Sequence, residues 1–97
     1  MKRKRVIWTE RAAQSLDAFC SYIEVESPTA AKKVRKEIIK TTGKLATHAE
    51  MFQLDEWMGD PDLNIRRFFK WSYKITYQVL DTDVVILNIF HTSQSFD

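Results

Sequence analysis

Residues 65–91 read IRRFFKWSYKITYQVLDTDVVILNIFH, and the fold turns on how this stretch is divided. Tyr73, Ile75, Tyr77 and Val79 alternate with Lys74, Thr76 and Gln78, a period of two that gives a strand one apolar and one polar face. Val84 to Phe90 is an almost unbroken apolar run, interrupted only by Asn88. Such a run suits a central strand covered on both faces. Between them Leu80-Asp81-Thr82-Asp83 has the length of a tight hairpin, although it lacks the Asn-Gly or Asp-Gly pair of the commonest turn. Ile65 to Trp71 reads as a third strand with basic residues interleaved, so the three make a meander.

The rest of the chain must cover that meander. At 97 residues it reads as one domain, 1–97, able to bury only about two-thirds of its unfolded surface. A composition 44% hydrophobic and 12% aromatic, with two Gly and two Pro, belongs to a folded protein and not to a disordered tail. The net charge of +2 hides a segregation. Lys2 to Arg5 and Lys32 to Lys44 are basic, whereas Glu50 to Asp62 holds five acids and no Lys or Arg, so the surface is expected to be electrically bipolar. A single cysteine, Cys20, excludes an internal disulfide, and no Cys/His cluster offers a metal site. No apolar run approaches membrane-spanning length, and the basic start leads only into Val-Ile-Trp, too little for a signal peptide. These features predict a cytoplasmic protein without a membrane partner.

Lys4 to Trp8 reads as a short strand with Lys4, Val6 and Trp8 on one face and Arg5 and Ile7 on the other. Thr9 is a good N-cap, and Ala12, Leu16, Phe19, Cys20 and Ile23 recur at helical spacing to near Val25. Ser27-Pro28 then opens a second helix, with the hydroxyl at the cap and proline at the first helical position. Its apolar stripe is Ala31, Val34, Ile38 and Leu45 with Thr41 on the same line; lysines and Arg35 fill the other faces. A connection of one to three residues makes the two helices an antiparallel hairpin. From Ala46 to Asn64 the periodicity fades, and the segment reads as a loop packed by its aromatics, with a turn at Gly59-Asp60-Pro61-Asp62. The fold class is α+β: an N-terminal strand, then an antiparallel helical hairpin on one face of an antiparallel sheet completed by the C-terminal meander. The other sheet face is left for function.

This order, with SPTAAKKV after the first helix, Arg-Arg-Phe followed by YKITYQV, and the closing VVILNIFHTSQ, resembles the RelE/ParE superfamily of bacterial toxins over nearly the whole chain. The resemblance implies the toxin of a type II toxin–antitoxin pair, wrapped by a co-expressed antitoxin in a hetero-oligomer. Two functions live on that one fold: binding and poisoning of DNA gyrase, and cleavage of messenger RNA on the ribosome. The Ser-Pro-Thr-Ala-Ala start of the second helix and the Phe-His-Thr-Ser-Gln ending look more like ParE and its plasmid-stabilisation relatives, so gyrase is the favoured target. No cofactor is implied.

For the nuclease alternative, the resemblance places the catalytic arginine at Lys74, an upstream cation at or near Arg67 and a second arginine near Gln94, with a tyrosine that has no counterpart up to Asp97. Cleavage by a 2′-hydroxyl needs a base and an acid as well as positive charge on the phosphorane. Related nucleases use a C-terminal histidine, and His91 falls within about a residue of it, with a near-neutral pKa suited to the task. Its competing reading is a strand-ending histidine in phase with Val85, Leu87 and Ile89. Lys74 is equally a solvated lysine beside Thr76 and Gln78.

Arg66 and Arg67 are neighbours and therefore point to opposite faces, one over the sheet and the other toward solvent or a loop acid. Trp8, Tyr73 and Tyr77 belong with the core, and Cys20 is inert packing. Target contact is expected from Arg66, Trp71 and Gln94, since aromatic anchors dominate interfaces. An antitoxin helix is expected along the helical hairpin at Leu16, Phe19, Val34 and Ile38, with an extended segment added to a sheet edge. A third reading is a non-toxic binding module or co-repressor.

Overall fold

The computed structural model describes residues 3–93. Its elements are β1 (Arg5–Trp8), α1 (Glu10–Glu26), α2 (Pro28–Lys44), two 3₁₀ turns (Glu56–Met58 and Pro61–Leu63), β2 (Ile65–Lys70), β3 (Tyr73–Val79) and β4 (Asp83–His91). Both helices start as their sequences dictate. The Thr9 side chain accepts from the Ala12 amide, and the Ser27 side chain accepts from the Ala30 amide ahead of Pro28. Ser27 also ends α1, its own amide bonding to Ile23 O, so one residue serves both helices and the hairpin is as tight as expected.

The four strands form one sheet in the order β1-β4-β3-β2, which makes β4 central. The meander is antiparallel throughout, but β1 lies parallel to β4, so the sheet is mixed rather than wholly antiparallel. Chain direction explains this. Thr9 alone separates β1 from α1, too little to reverse the chain, and α1 runs on along β4, where Ser15 Oγ donates to Asn88 Oδ1 at 2.9 Å and the Phe19 ring lies 6.2 Å from His91. The return pass is α2, which brings the Ala46 carbonyl to the Lys4 amide at 2.8 Å. Three further passes through β2, β3 and β4 leave β4 pointing the way β1 points.

The core lies between the helical hairpin and one sheet face, where Leu16, Cys20, Ile38 and Leu45 meet Phe68, Ile75, Tyr77 and Ile86. Burying each such large side chain is worth about 1.5–3 kcal/mol, which identifies this layer as the main source of stability. Thr42, and not Thr41, continues the buried stripe of α2; its hydroxyl donates to the Ile39 carbonyl at 3.0 Å and so enters the core satisfied. Tyr77 is fully buried and its hydroxyl donates to the Ala49 carbonyl at 2.9 Å, tying the long loop to the core. Burial pushes its pKa up to about 12.

β4 contains a bulge: Thr76 pairs with Asn88 but Tyr77 with Ile86, leaving Leu87 without a partner on β3. Thr9 Oγ1 donates to both the Ile86 and Leu87 carbonyls at 3.0 Å, so the α1 cap holds the bulge. The bulge shifts the phase of everything after it. Val84 and Ile86 face the helices before it, and Ile89 after it. His91 follows Ile89 onto that face, so it is out of phase with Val85, contrary to the uninterrupted alternation expected from the apolar run.

Candidate functional site

The face of the sheet turned away from the helices carries Lys74, Thr76 and Gln78 from β3, and Arg67 and Phe69 opposite Thr76 and Lys74 on β2. The 46–64 segment, read from sequence as a loop, folds around the β2 edge to reach it. Phe52 stacks on Phe68 on the helix side, with ring centroids 4.7 Å apart. Gln53 to Asp55 then run beside β2: Gln53 O accepts from Arg67 N at 3.2 Å, Leu54 bridges to Arg66, and Asp55 N donates to Ile65 O at 2.8 Å. Asp55 and Trp57 emerge on the open face. This hem closes an edge that would otherwise expose unpaired peptide groups.

The hem also engages Arg67 and Lys74. With its amide in the orientation that satisfies both groups, the Gln53 carbonyl oxygen accepts from the Arg67 guanidinium, which lies 5.1 Å from the centre of the Phe69 ring. The Lys74 ammonium lies 3.2 Å from Asp55 Oδ2, and the Asp55 side chain is 0% exposed. Oδ1 of Asp55 accepts from the Trp57 amide at 3.0 Å, while Oδ2, closed off from solvent, has no hydrogen bond of good geometry among the described residues and faces the Lys74 ammonium. Asp55, Trp57, Met58, Lys74, Thr76 and Phe90 line a cleft of about 240 Å³ over this pair.

The three residues of the nuclease alternative are not brought together. Arg67 and Lys74 share the open face, whereas His91 stands on the helix face, packed 5.2 Å edge-on against Tyr73 and hydrogen-bonded through Nδ1 to Ser93. The second histidine, His48, lies beside Lys4 and Glu50 at the end of α2. What remains on the open face is positive charge, a buried carboxylate and aromatic surface, an arrangement equipped for binding.

The residues expected to contact the target are placed differently from one another. Arg66 is structural: it points to the helix side, donates to Asn64 Oδ1 and Phe52 O at 2.9 and 2.6 Å, and pairs with Glu50 at 3.2 Å. Trp71 is 53% exposed at the tip of the β2–β3 hairpin, with a positive φ of 53° and the Lys70 ammonium 5.3 Å from its ring. Gln94 lies outside the described residues. Of the four positions expected to meet an antitoxin, Leu16 and Ile38 are core residues at 4% and 0% exposure, so they offer a partner little surface; Phe19 and Val34 are half-buried. The hairpin does present apolar surface, but at Tyr22 and Val25 near the end of α1, exposed 82% and 85%. Position beyond the apolar stripe was the available signal for these two. Nothing in the sequence marks Asp55 as buried, since it sits in an acidic run that reads as solvated.

Residues 6–96 match the family profile described as the ParE toxin of the type II toxin–antitoxin system parDE. A candidate toxin of Sinorhizobium fredii (strain NBRC 101917 / NGR234), Y4kP, is 31% identical over 96 residues, 99% of this chain and 96% of that protein. Among solved structures, a chain of the chromosomal ParDE system of P. aeruginosa superposes with a TM-score of 0.75 at 22% identity, over 96% of this chain and 100% of the other. A chain of the RelBE2 toxin–antitoxin complex of Mycobacterium tuberculosis gives 0.59 at 18% identity, over 97% of each. The profile match over nearly the full length, on a fold shared with both kinds of system, decides the matter: the chain belongs to the ParE toxin family of type II toxin–antitoxin systems.

Proposed function

We propose that this protein arrests growth in the cytoplasm by binding DNA gyrase through the open face of its sheet and the adjoining hairpin tip, and that a cognate antitoxin neutralises it. The observation that carries a binding mode of action is the separation of Lys74 and Arg67 from His91 by the sheet itself, with Lys74 held by Asp55 and Arg67 by Gln53. Strand cleavage needs a proton acceptor and donor beside the cations. That separation argues against the RelE-like nuclease. Trp71 supports the contact assignment: a tryptophan at positive φ is strained, and strain kept at an exposed position points to use. For the antitoxin, the apolar surface of Tyr22 and Val25 beside half-buried Phe19 is the natural seat on the hairpin, in place of Leu16 and Ile38.

The test is gyrase supercoiling in the presence of purified toxin, alongside pulse labelling of DNA and protein synthesis after induction without antitoxin. Loss of supercoiling, with DNA synthesis falling first, is the expected result. Unimpaired gyrase at toxin levels that stop growth overturns the target. Protein synthesis falling first, with cuts in translated messages, reinstates the nuclease.

A further inference from the structure

We propose that the solvent face of α2 docks on the phosphate backbone of double-stranded DNA. Lys32, Lys33, Lys36, Lys40 and Lys44 are all exposed, and at about 100° per residue they fall within a sector of about 120°, opposite the buried side formed by Ala31, Ile38 and Thr42. Arg3 extends the field, since it borders the same hollow as Gly43 at the helix end. None of these six cations has an ion pair among the described residues. The one carboxylate of α2, Glu37, is turned to Lys70 at 3.8 Å, and Arg35 is turned to Asp17 at 2.9 Å, so neither interrupts the lysines.

Lysines at i and i+4 repel one another on a helix, and Lys32 with Lys36, Lys36 with Lys40, and Lys40 with Lys44 make a row of such pairs. A polyanion removes that repulsion. The row from Lys32 to Lys44 spans about 18 Å of helix axis, a length over which B-form DNA carries about ten phosphates. Side-chain type then decides between polyanions. α2 carries no aromatic residue on which unpaired bases could stack, which sets single strands aside. Ile39, 49% exposed, is its only large apolar side chain in the open, too little to enter a lipid surface or to anchor a protein interface. Lysines are point charges without the planar fork of arginine, so these contacts hold a backbone and read no sequence.

The inference goes beyond the gyrase reading and does not rest on it. The helices pack on one side of the sheet and the open face lies on the other, so DNA on α2 and a protein on the open face do not compete for surface. The duplex test below and the supercoiling test can each fail alone.

The experiment is fluorescence anisotropy of a labelled mixed-sequence DNA duplex titrated with the purified full chain between about 50 and 200 mM NaCl, with oligothymidylate and phosphatidylserine vesicles as competitors. Neutralising a phosphate with each cation of the face is expected to give a slope of about −5 for log K against log salt, a roughly 1,000-fold loss of affinity across that range. The triple variant Lys33→Gln/Lys36→Gln/Lys40→Gln changes only exposed positions, where glutamine keeps the helix propensity of lysine. It is expected to reduce the slope to about −2 and to weaken binding by more than about ten-fold at the lowest salt. Arg11→Gln, at an exposed cation of α1, is expected to change neither. The absence of saturable duplex binding at the lowest salt overturns the proposal, as does a slope that the triple variant leaves unchanged or that Arg11→Gln lowers equally. So does a competitor bound more tightly than the duplex: oligothymidylate would make the partner a single strand, and vesicles would make it a membrane.

Discussion

The two faces of β3 share one backbone and answer to different demands. Toward the helices, Tyr73, Ile75, Tyr77 and Val79 are all buried. Toward the other side, Lys74, Thr76 and Gln78 meet the 53–63 segment through an ion pair, a small cleft and a single amide hydrogen bond. Apolar packing on the first face gives the fold its stability without reference to any partner. The second face is assembled from polar groups whose partners come from a segment nearly devoid of regular structure. The two faces thus differ in how much they contribute to stability, and substitutions on each can measure the difference.

The sharpest way to break that division is to compare deletions of similar size on the two sides. Ile38→Ala empties a site that is 0% exposed and is expected to destabilise by about 3–4 kcal/mol. Phe69→Ala, on the open face and 52% exposed, is expected to stay within about 1 kcal/mol of the wild type. Urea unfolding of both variants measures the difference. Equal losses would mean that the open face contributes to the core.

The next test lies at the one place where the open face does bear on stability. Lys74→Ala leaves the buried Asp55 carboxylate without its counter-charge and is expected to cost about 2–3 kcal/mol, below the figure for a fully buried pair because Lys74 retains 16% exposure. The double variant Asp55→Ala/Lys74→Ala is expected to recover at least half of that loss, since no charge is then stranded. A double variant worse than the single would show that Asp55 stabilises through contacts other than Lys74, such as the hydrogen bond it accepts from the Trp57 amide.

Tyr77 joins the two regions, because its hydroxyl in the core holds the Ala49 carbonyl at the root of the loop that hems the open face. Its folded pKa is raised by burial to about 12 from an ordinary value of about 10. The folded state therefore keeps the proton longer than the unfolded one. The associated stability is complete below about pH 10 and is lost as the pH climbs toward 12, by about 2–3 kcal/mol in all. Tyr77→Phe is expected to cost about 1–2 kcal/mol at neutral pH through the missing hydrogen bond. It should also flatten the alkaline limb: the gap between variant and wild type closes between pH 9 and 11.5. A constant gap would exclude Tyr77 as the titrating group.

What the sequence disclosed follows the same division. Alternation in β3, the Thr9 and Ser27-Pro28 caps and the apolar stripes of both helices were legible because each rests on a local period or a local hydrogen bond. The parallel β1 follows from chain direction, and only the single residue between Trp8 and Glu10 hinted at it. The Leu87 bulge is silent inside a run where Val85, Ile86 and Leu87 are interchangeable apolar letters, and that silence made His91 read as in phase with Val85. Asp55 was equally hidden, because its burial depends on Ile65 and Lys74, residues 10 and 19 positions away, brought to it by a loop with no periodicity.

The smallest expected change in stability is the most informative about function. Lys70 and Tyr73 pair across a two-residue turn, Trp71-Ser72, in which only the first residue has positive φ, the pattern of a type II′ turn. Glycine is the ordinary choice there, and a large side chain with a Cβ is strained by about 1 kcal/mol. Trp71→Gly is therefore expected to raise stability by about 0.5–1 kcal/mol, the strain relieved exceeding the modest cation–aromatic contact with Lys70 that is lost. If the hairpin tip serves recognition, the same substitution weakens gyrase inhibition and growth arrest while the protein becomes harder to unfold. A variant that is more stable and fully toxic would remove Trp71 from the proposed binding face. A variant that is less stable would show that the tryptophan has a packing role that its 53% exposure conceals.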